Sequence, residues 1–339
     1  MPELRDYTAC FSARSRMDTN LRGNDPGNWG HSLANLIEIV FPLLDAVGAR
    51  SIVEVGSYAG DLTRELLGWA AGAGASVSAI DPSPQPELIA LGERHEELEL
   101  IHGTSHEALR DIPVPDAVII DGDHNYYTVC EELRLIDERA SGSTAPLLIF
   151  HDVGWPHGRR DAYYAPDQIP AEYREAMVPG GGVFPGNPGL VPGALPYRHV
   201  ARHEGGPRNG VLTAVEDFVE GREGLRLAIV PAFFGLGVLW REDAPWSGEV
   251  AESLEQWDRN PVVARLEANR VYHLATRYVR RSEILELRER SRVYEGVLRL
   301  MLNSRAFAVS ERLSRLRKGG RAAFSRELVR RALGDAEPR

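Results

Sequence analysis

Apolar positions along the chain follow two alternating periods. From Leu33 to Val47, LANLIEIVFPLLDAV, they recur at helical spacing, and Gly48 follows as a helix stop. RSIVEV then reads as a short β-branched strand, succeeded by the glycine turn GSYAG and an amphipathic helix. The unit repeats. SVSAID ends at Asp81 ahead of a helix starting at Pro86, LELIHG precedes the short helix SHEALRDI, DAVIID precedes a helix through TVCEELRLIDERA, and APLLIFHD is the fifth strand. Strands alternating with helices predict a parallel, doubly wound α/β sheet. Right-handed crossovers bring the C-terminal ends of such strands to one edge, where ligands bind. Gly56, Asp81, Gly103, Asp121 and Asp152 all fall at or just after strand ends, which predicts that they share one rim.

After the fifth strand the pattern breaks. Residues 155–207 are rich in Pro and Gly, and a segment of this length beside the rim reads as a lid. Periodicity resumes with the helix NGVLTAVEDFVEG and two strands, LRLAIVP and FGLGVLW, whose short link permits an antiparallel hairpin. The expected division is therefore an N-terminal segment 1–30, an α/β domain 31–245 and a helical C-terminal arm 246–339. In the arm, Val271, Tyr278 and Leu285 repeat at seven, but Arg281, Arg288 and Arg292 interrupt the stripe. That pattern predicts a helical oligomerisation arm, and hence a homo-oligomer, rather than a long coiled coil.

A net charge of −10 argues against a nucleic-acid binder, although Glu311–Arg331 forms a local basic segment. Cys10 and Cys130 are too few for a disulfide framework or a Cys-based zinc site, which suggests a reducing, cytoplasmic setting. No apolar run is long enough for a membrane span, and the N-terminus lacks a signal-type apolar stretch.

The glycine turn narrows the cofactor. VEVGSYAG carries Gly56 and Gly60, but Tyr58 stands where a dinucleotide fingerprint needs its second glycine to admit a pyrophosphate. A cofactor without a pyrophosphate at this turn, S-adenosylmethionine, fits better, with Asp81 placed to accept from the two ribose hydroxyls. VEVGSYAGDLT, AIDPS, DAVIIDGDHNYY and LLIFHD, in that order, resemble class I S-adenosylmethionine-dependent methyltransferases over about residues 30–241. DGDHNYY and FHD look like the branch of cephalosporin-hydroxylase-like proteins and metal-dependent sugar O-methyltransferases. The resemblance implies a Rossmann-like seven-stranded sheet, five strands parallel and the last pair a reversed hairpin. It also implies Glu54, Gly56, Ser57 and Gly60 around the methionine part, Asp81 on the ribose, Thr104 or Ser105 near the adenine, and Asp121 between cofactor and acceptor.

An alcohol must lose its proton as it attacks a sulfonium methyl group, so O-methylation calls for a base, a cation or both. Asp121, His151 and Asp152 offer ligands for a magnesium- or manganese-type ion. The Asp-x-x-His pattern of the resembling sugar O-methyltransferases maps a metal ligand onto Asp121 and the base onto His124. Where that branch has two carboxylates after the fifth strand, this chain has His151–Asp152. The expected activity is O-methylation of a sugar or glycosylated small molecule. A metal-independent carboxyl- or N-methyltransferase and a non-catalytic assembly subunit are the alternatives. Arg159, Arg160, Tyr163, Tyr164, Arg208 and Asn209 are weaker candidates for acceptor contacts.

Overall fold

The computed structural model describes residues 31–140, 145–317 and 325–334, so the expected segment 1–30 and part of the basic C-terminal stretch lie outside the described residues. A short 3-10 turn, Leu33–Leu36, leads into α1 (Ile37–Val47), which Gly48 closes in the left-handed conformation at φ 64°. The succession is then β1 (Ser51–Val55), α2 (Asp61–Ala73), β2 (Ser76–Asp81), α3 (Pro86–Gly92), β3 (Leu98–His102), α4 (Ser105–Asp111), β4 (Ala117–Ile120), α5 (Tyr126–Arg139) and β5 (Leu147–Phe150). Four short strands follow within the expected lid, β6 (Met177–Pro179), β7 (Gly182–Val183), β8 (Leu195–Pro196) and β9 (His199–Ala201). After them come α6 (Val211–Val219), β10 (Leu225–Val230), β11 (Leu236–Arg241), α7 (Ser247–Leu254), α8 (Pro261–Asn303), α9 (Arg305–Arg317) and α10 (Arg326–Ala332).

The central sheet has seven strands in the order β10-β11-β5-β4-β1-β2-β3. β1 to β5 are parallel, and β11 runs antiparallel to both β5 and β10. Side-chain alternation assigns residues to the two faces. Ile52, Ile119, Leu147 and Ile149 join α1, α2 and α3 in one buried cluster. Val53, Val118, Ile120, Leu148 and Phe150 join α4, α5 and α6 in the other. Because both faces are covered, β4 and β5 are buried at every position and read as continuous apolar runs.

The strand ladder continues into the rim. Gly56 N donates to Ile80 O, Asp121 N to Val55 O, and His151 N to Ile120 O. Each residue past a strand end is thus pinned to the neighbouring strand, which converts topology into a site of defined geometry.

The lid is more structured than its composition suggests. β6 pairs with β9 and β7 with β8, both antiparallel. Arg160, fully buried, ties the segment together by donating from Nη1 to Ala201 O and from Nη2 to Pro188 O, both at 2.8 Å. Asp161, equally buried, accepts from Tyr126 N, Gly210 N and the Tyr163 hydroxyl, and Asn209 Oδ1 accepts from Asp161 N. These residues scaffold the lid, with Arg160, Tyr163 and Asn209 buried and engaged within the protein.

The chain divides into two compact units, Met1–Thr276 and Arg277–Arg339. The division falls inside α8. Val250 and Leu254 of α7 belong to the first core cluster, and Ile229 N donates to Asp258 Oδ1. Among the described residues no helix is long and apolar enough to cross a membrane.

Candidate active site

At the glycine turn, Gly56 adopts φ 85°, and a Cβ there would lie 2.2 Å from Asp121 O. The glycine is required because the ends of β1 and β4 meet backbone to backbone. Gly60, at φ 76°, abuts Leu91 of α3. Tyr58 turns through φ 45°, and its N–H donates to Asp81 Oδ2 at 2.6 Å, while Ser83 N donates to Oδ1 at 2.7 Å. Asp81 is therefore held at the end of β2 with lone pairs remaining for further donors.

Glu54 is buried and accepts from Thr63 Oγ1 at 2.6 Å. Burial pushes its carboxyl up to about 7 against that bond. Ser57 Oγ is buried without a well-formed hydrogen bond, an arrangement that suits a polar ligand group at this turn. Thr104 caps α4 in a reciprocal box with Glu107. Ser105 Oγ donates to Glu132 Oε1 at 2.5 Å. Both expected adenine-side hydroxyls are thus engaged within the protein.

Glu132 is fully buried, and burial raises its carboxyl to about 8 although the Ser105 bond opposes this. An acid whose folded pKa lies above its unfolded value holds extra protons in the native state, so stability falls as pH rises from about 4 through about 8. Glu132→Gln is expected to remove that part of the slope. Thermal melts should show the wild type losing a few degrees more than the variant between pH 6 and pH 9. Parallel melting curves would refute the assignment.

Beyond β4, the helix does not begin at once. Asn125 caps α5 by accepting from Thr128 N, which leaves Asp121, Gly122, Asp123 and His124 as a turn. Donor atoms of Asp121, His124 and Asp152 all lie within 4.8 Å of one another. Nε2 of His124 is 3.5 Å from Asp152 Oδ2 and 3.5 Å from the Tyr164 hydroxyl. Asp152 adopts φ 59°, a left-handed conformation that Asp and Asn tolerate better than other residues with a Cβ.

His151 takes a different part from the one its position suggested. Its Nδ1 is 3.0 Å from Asp121 Oδ1, and its Nε2 is 2.8 Å from the Phe233 carbonyl oxygen. Both neighbours are acceptors, so this geometry suits a ring with hydrogen on both nitrogens. Burial by itself would lower the pKa. The carboxylates of Asp121 and Asp152 and these two bonds outweigh it and raise His151 to about 10. The expected ligand set was Asp121, His151 and Asp152; the donor atoms that the structure brings together are those of Asp121, His124 and Asp152. His124 belongs to that triangle, and His151 lies buried against the carboxylates of Asp121 and Asp152. Burial also works against ionisation of Asp152, yet the surrounding histidines, His124 first, hold it below the usual range.

His157, absent from the sequence-based candidates, stacks on His124 with ring centroids 4.9 Å apart. Burial drives it down to about 3, so it is neutral and fixes the His124 ring by packing. The lid closes on the same turn. Ala162 N donates to His124 O, and Tyr164 N to Asp123 Oδ1. Tyr164 remains exposed, its ring edge-on to His124. Only the run HGRRDAYY after the fifth strand hints at these contacts, because nothing in its spacing tells which side chains turn inward.

A seven-stranded sheet with a reversed last hairpin and a glycine turn facing an acidic second-strand end is the arrangement of class I S-adenosylmethionine-dependent methyltransferases, and part of the chain matches a methyltransferase family. Residues 53–153 match the family described as a methyltransferase domain. A search of curated proteins finds no match. Among solved structures, the chain is similar to the S-adenosylhomocysteine-bound Podospora anserina methyltransferase PaMTH1, with 13% identity over 72% of this chain and 99% of that one, TM-score 0.38. Another is the Burkholderia thailandensis 1,6-didemethyltoxoflavin-N1-methyltransferase, with 14% identity over 68% and 84%, TM-score 0.36. A third is human N-acetylserotonin methyltransferase, with 13% identity over 70% and 62%, TM-score 0.33. Scores at this level carry nothing about acceptor or mechanism.

Proposed function

We propose that the protein transfers the methyl group of S-adenosylmethionine to a hydroxyl of a sugar or glycosylated small molecule, in natural-product or polysaccharide biosynthesis. The observation that carries this reading is the meeting of Asp121, His124 and Asp152 on the rim beside the glycine turn. The donor set fits a divalent cation of the magnesium or manganese type, with two carboxylates and one imidazole. Such an ion would be held by Asp121, His124 and Asp152, and would stabilise the developing alkoxide of the acceptor. Asp121 separates the cofactor turn from the acceptor, His151 keeps the two carboxylates apart and oriented, and the lid excludes water.

On the cofactor side, Glu54, Gly56, Ser57 and Gly60 surround the methionine part, Asp81 takes the ribose hydroxyls, and Thr104 and Ser105 border the adenine. Asp81→Ala is expected to weaken S-adenosylhomocysteine binding by about 1 to 3 kcal/mol, since it strands the ribose hydroxyls and frees the Tyr58 amide. Asp81→Asn, which keeps one acceptor, should lose less. Calorimetry on the wild type tests the frame itself. No binding, or tighter binding of NAD, would remove the reading.

A second reading is supported by the 3.5 Å approach of His124 Nε2 to Asp152 Oδ2. Without a cation, His124 is the general base, held by Asp152. The cytoplasmic setting, the catalytic unit ending beyond residue 245 and self-association through the C-terminal helices complete the proposal.

A further inference from the structure

The second unit, Arg277–Arg339, carries much of α8, a helix of 43 residues. From Arg277 to Asn303 none of its described residues is buried. A helix draws most of its stability from packing an apolar face, and this one has such a face. Ile284, Leu287 and Tyr294 are 48%, 61% and 61% exposed. With Ser291 and the half-buried Leu298 and Met301 they fall at 284, 287, 291, 294, 298 and 301, alternating steps of three and four. That is the seam of a left-handed coiled coil. It lies in a different register from Val271, Tyr278 and Leu285.

Charges flanking the seam choose the partner. Glu283 and Arg290 precede the first seam positions 284 and 291, Arg288 and Glu295 follow the second positions 287 and 294, and Val297 and Leu302 flank the last pair. In a parallel pair of identical helices, each flanking residue meets the one five positions further along the other chain. Glu283 then meets Arg288, and Arg290 meets Glu295, so both contacts are attractive and each occurs twice by symmetry. One ion pair within the helix, Glu289 with Arg292 at 3.3 Å, lies on the far side.

We infer that α8 forms a parallel two-stranded coiled coil with a second copy of this chain, through Ile284, Leu287, Ser291, Tyr294 and Leu298. The inference rests on the proposed self-association and gives it a seam, an orientation and a partner. Leu285, Val293 and Leu300 are also exposed but lie on the opposite side, so they serve as controls.

Light scattering on the full-length protein over a concentration series is expected to give a dimer. Leu287→Asp should shift it to monomer, and Val293→Asp should not. Glu283→Arg should raise the dissociation constant at least tenfold, and adding Arg288→Glu to the same chain should restore it. Ser291→Cys should cross-link across the seam under mild oxidation, above the background of the wild-type cysteines. A monomeric wild type, including one that instead binds phosphatidylserine vesicles, would overturn the inference. So would a charge swap that restores nothing. A stable dimer in which Ser291→Cys does not cross-link would overturn the parallel seam while leaving self-association standing. Calorimetric binding of S-adenosylhomocysteine should be unchanged throughout, because the seam lies outside the cofactor residues.

Discussion

Asp152→Asn is expected to lower methyl transfer on the order of 10²-fold or more while S-adenosylhomocysteine binding survives. Asparagine keeps the left-handed backbone at φ 59° and removes only the charge, so the loss does not reflect a collapsed turn. The carboxylate is common to both mechanisms, since it is one of three donors in the cation triangle and also the partner of His124. Chelation separates them. With a cation, chelator abolishes transfer in the wild type and manganese restores it. Calorimetry should then show manganese binding that Asp152→Asn and His124→Ala both weaken. If His124 is instead the base, chelator changes nothing, and His124→Ala alone slows the chemical step, less so as pH rises and hydroxide substitutes for the imidazole. Full activity of Asp152→Asn on a panel of glycoside acceptors would eliminate both.

Gly56→Ala is expected to destabilise the protein by on the order of 3 to 5 kcal/mol and to abolish cofactor binding. Two costs act together. At φ 85° an alanine is strained, and its Cβ would sit 2.2 Å from Asp121 O. Relief requires the ends of β1 and β4 to part, which breaks the bond from Asp121 N to Val55 O. Because the same carbonyl belongs to Asp121, which the proposed function sets between cofactor and acceptor, the stability loss and the binding loss should appear together. Gly48→Ala, also at positive φ but with nothing within 4 Å of its Cβ, should cost only about 1 to 2 kcal/mol and leave binding intact. Equal effects at the two glycines, read by denaturant titration, would contradict the close-approach explanation.

The sheet was legible because both of its signals are local. β4 and β5 are short apolar runs, the intervening helices repeat near every fourth residue, and connection handedness then places Gly56, Asp81, Asp121 and Asp152 on one rim. The glycine turn was legible too, with Gly56 and Gly60 at positive φ on either side of Tyr58. The packing of α7 was not. α7 is short, and only the arrival of Val250 and Leu254 against α1 makes it part of the core.

The roles of individual rim residues were likewise decided by the fold. The setting of His151 depends on the Phe233 carbonyl, which a turn 82 residues away supplies at 2.8 Å. His124 enters the donor triangle because Asn125 delays the start of α5 and because His157, from the lid, packs on its ring. Arg160 and Asp161 look like surface charges until hairpins formed by residues 177–201 bury them. A chain specifies strands and helices through periodicities that neighbouring residues satisfy. Protonation, ligation and burial are set by groups distant in sequence, and those distances exist only once the chain is folded.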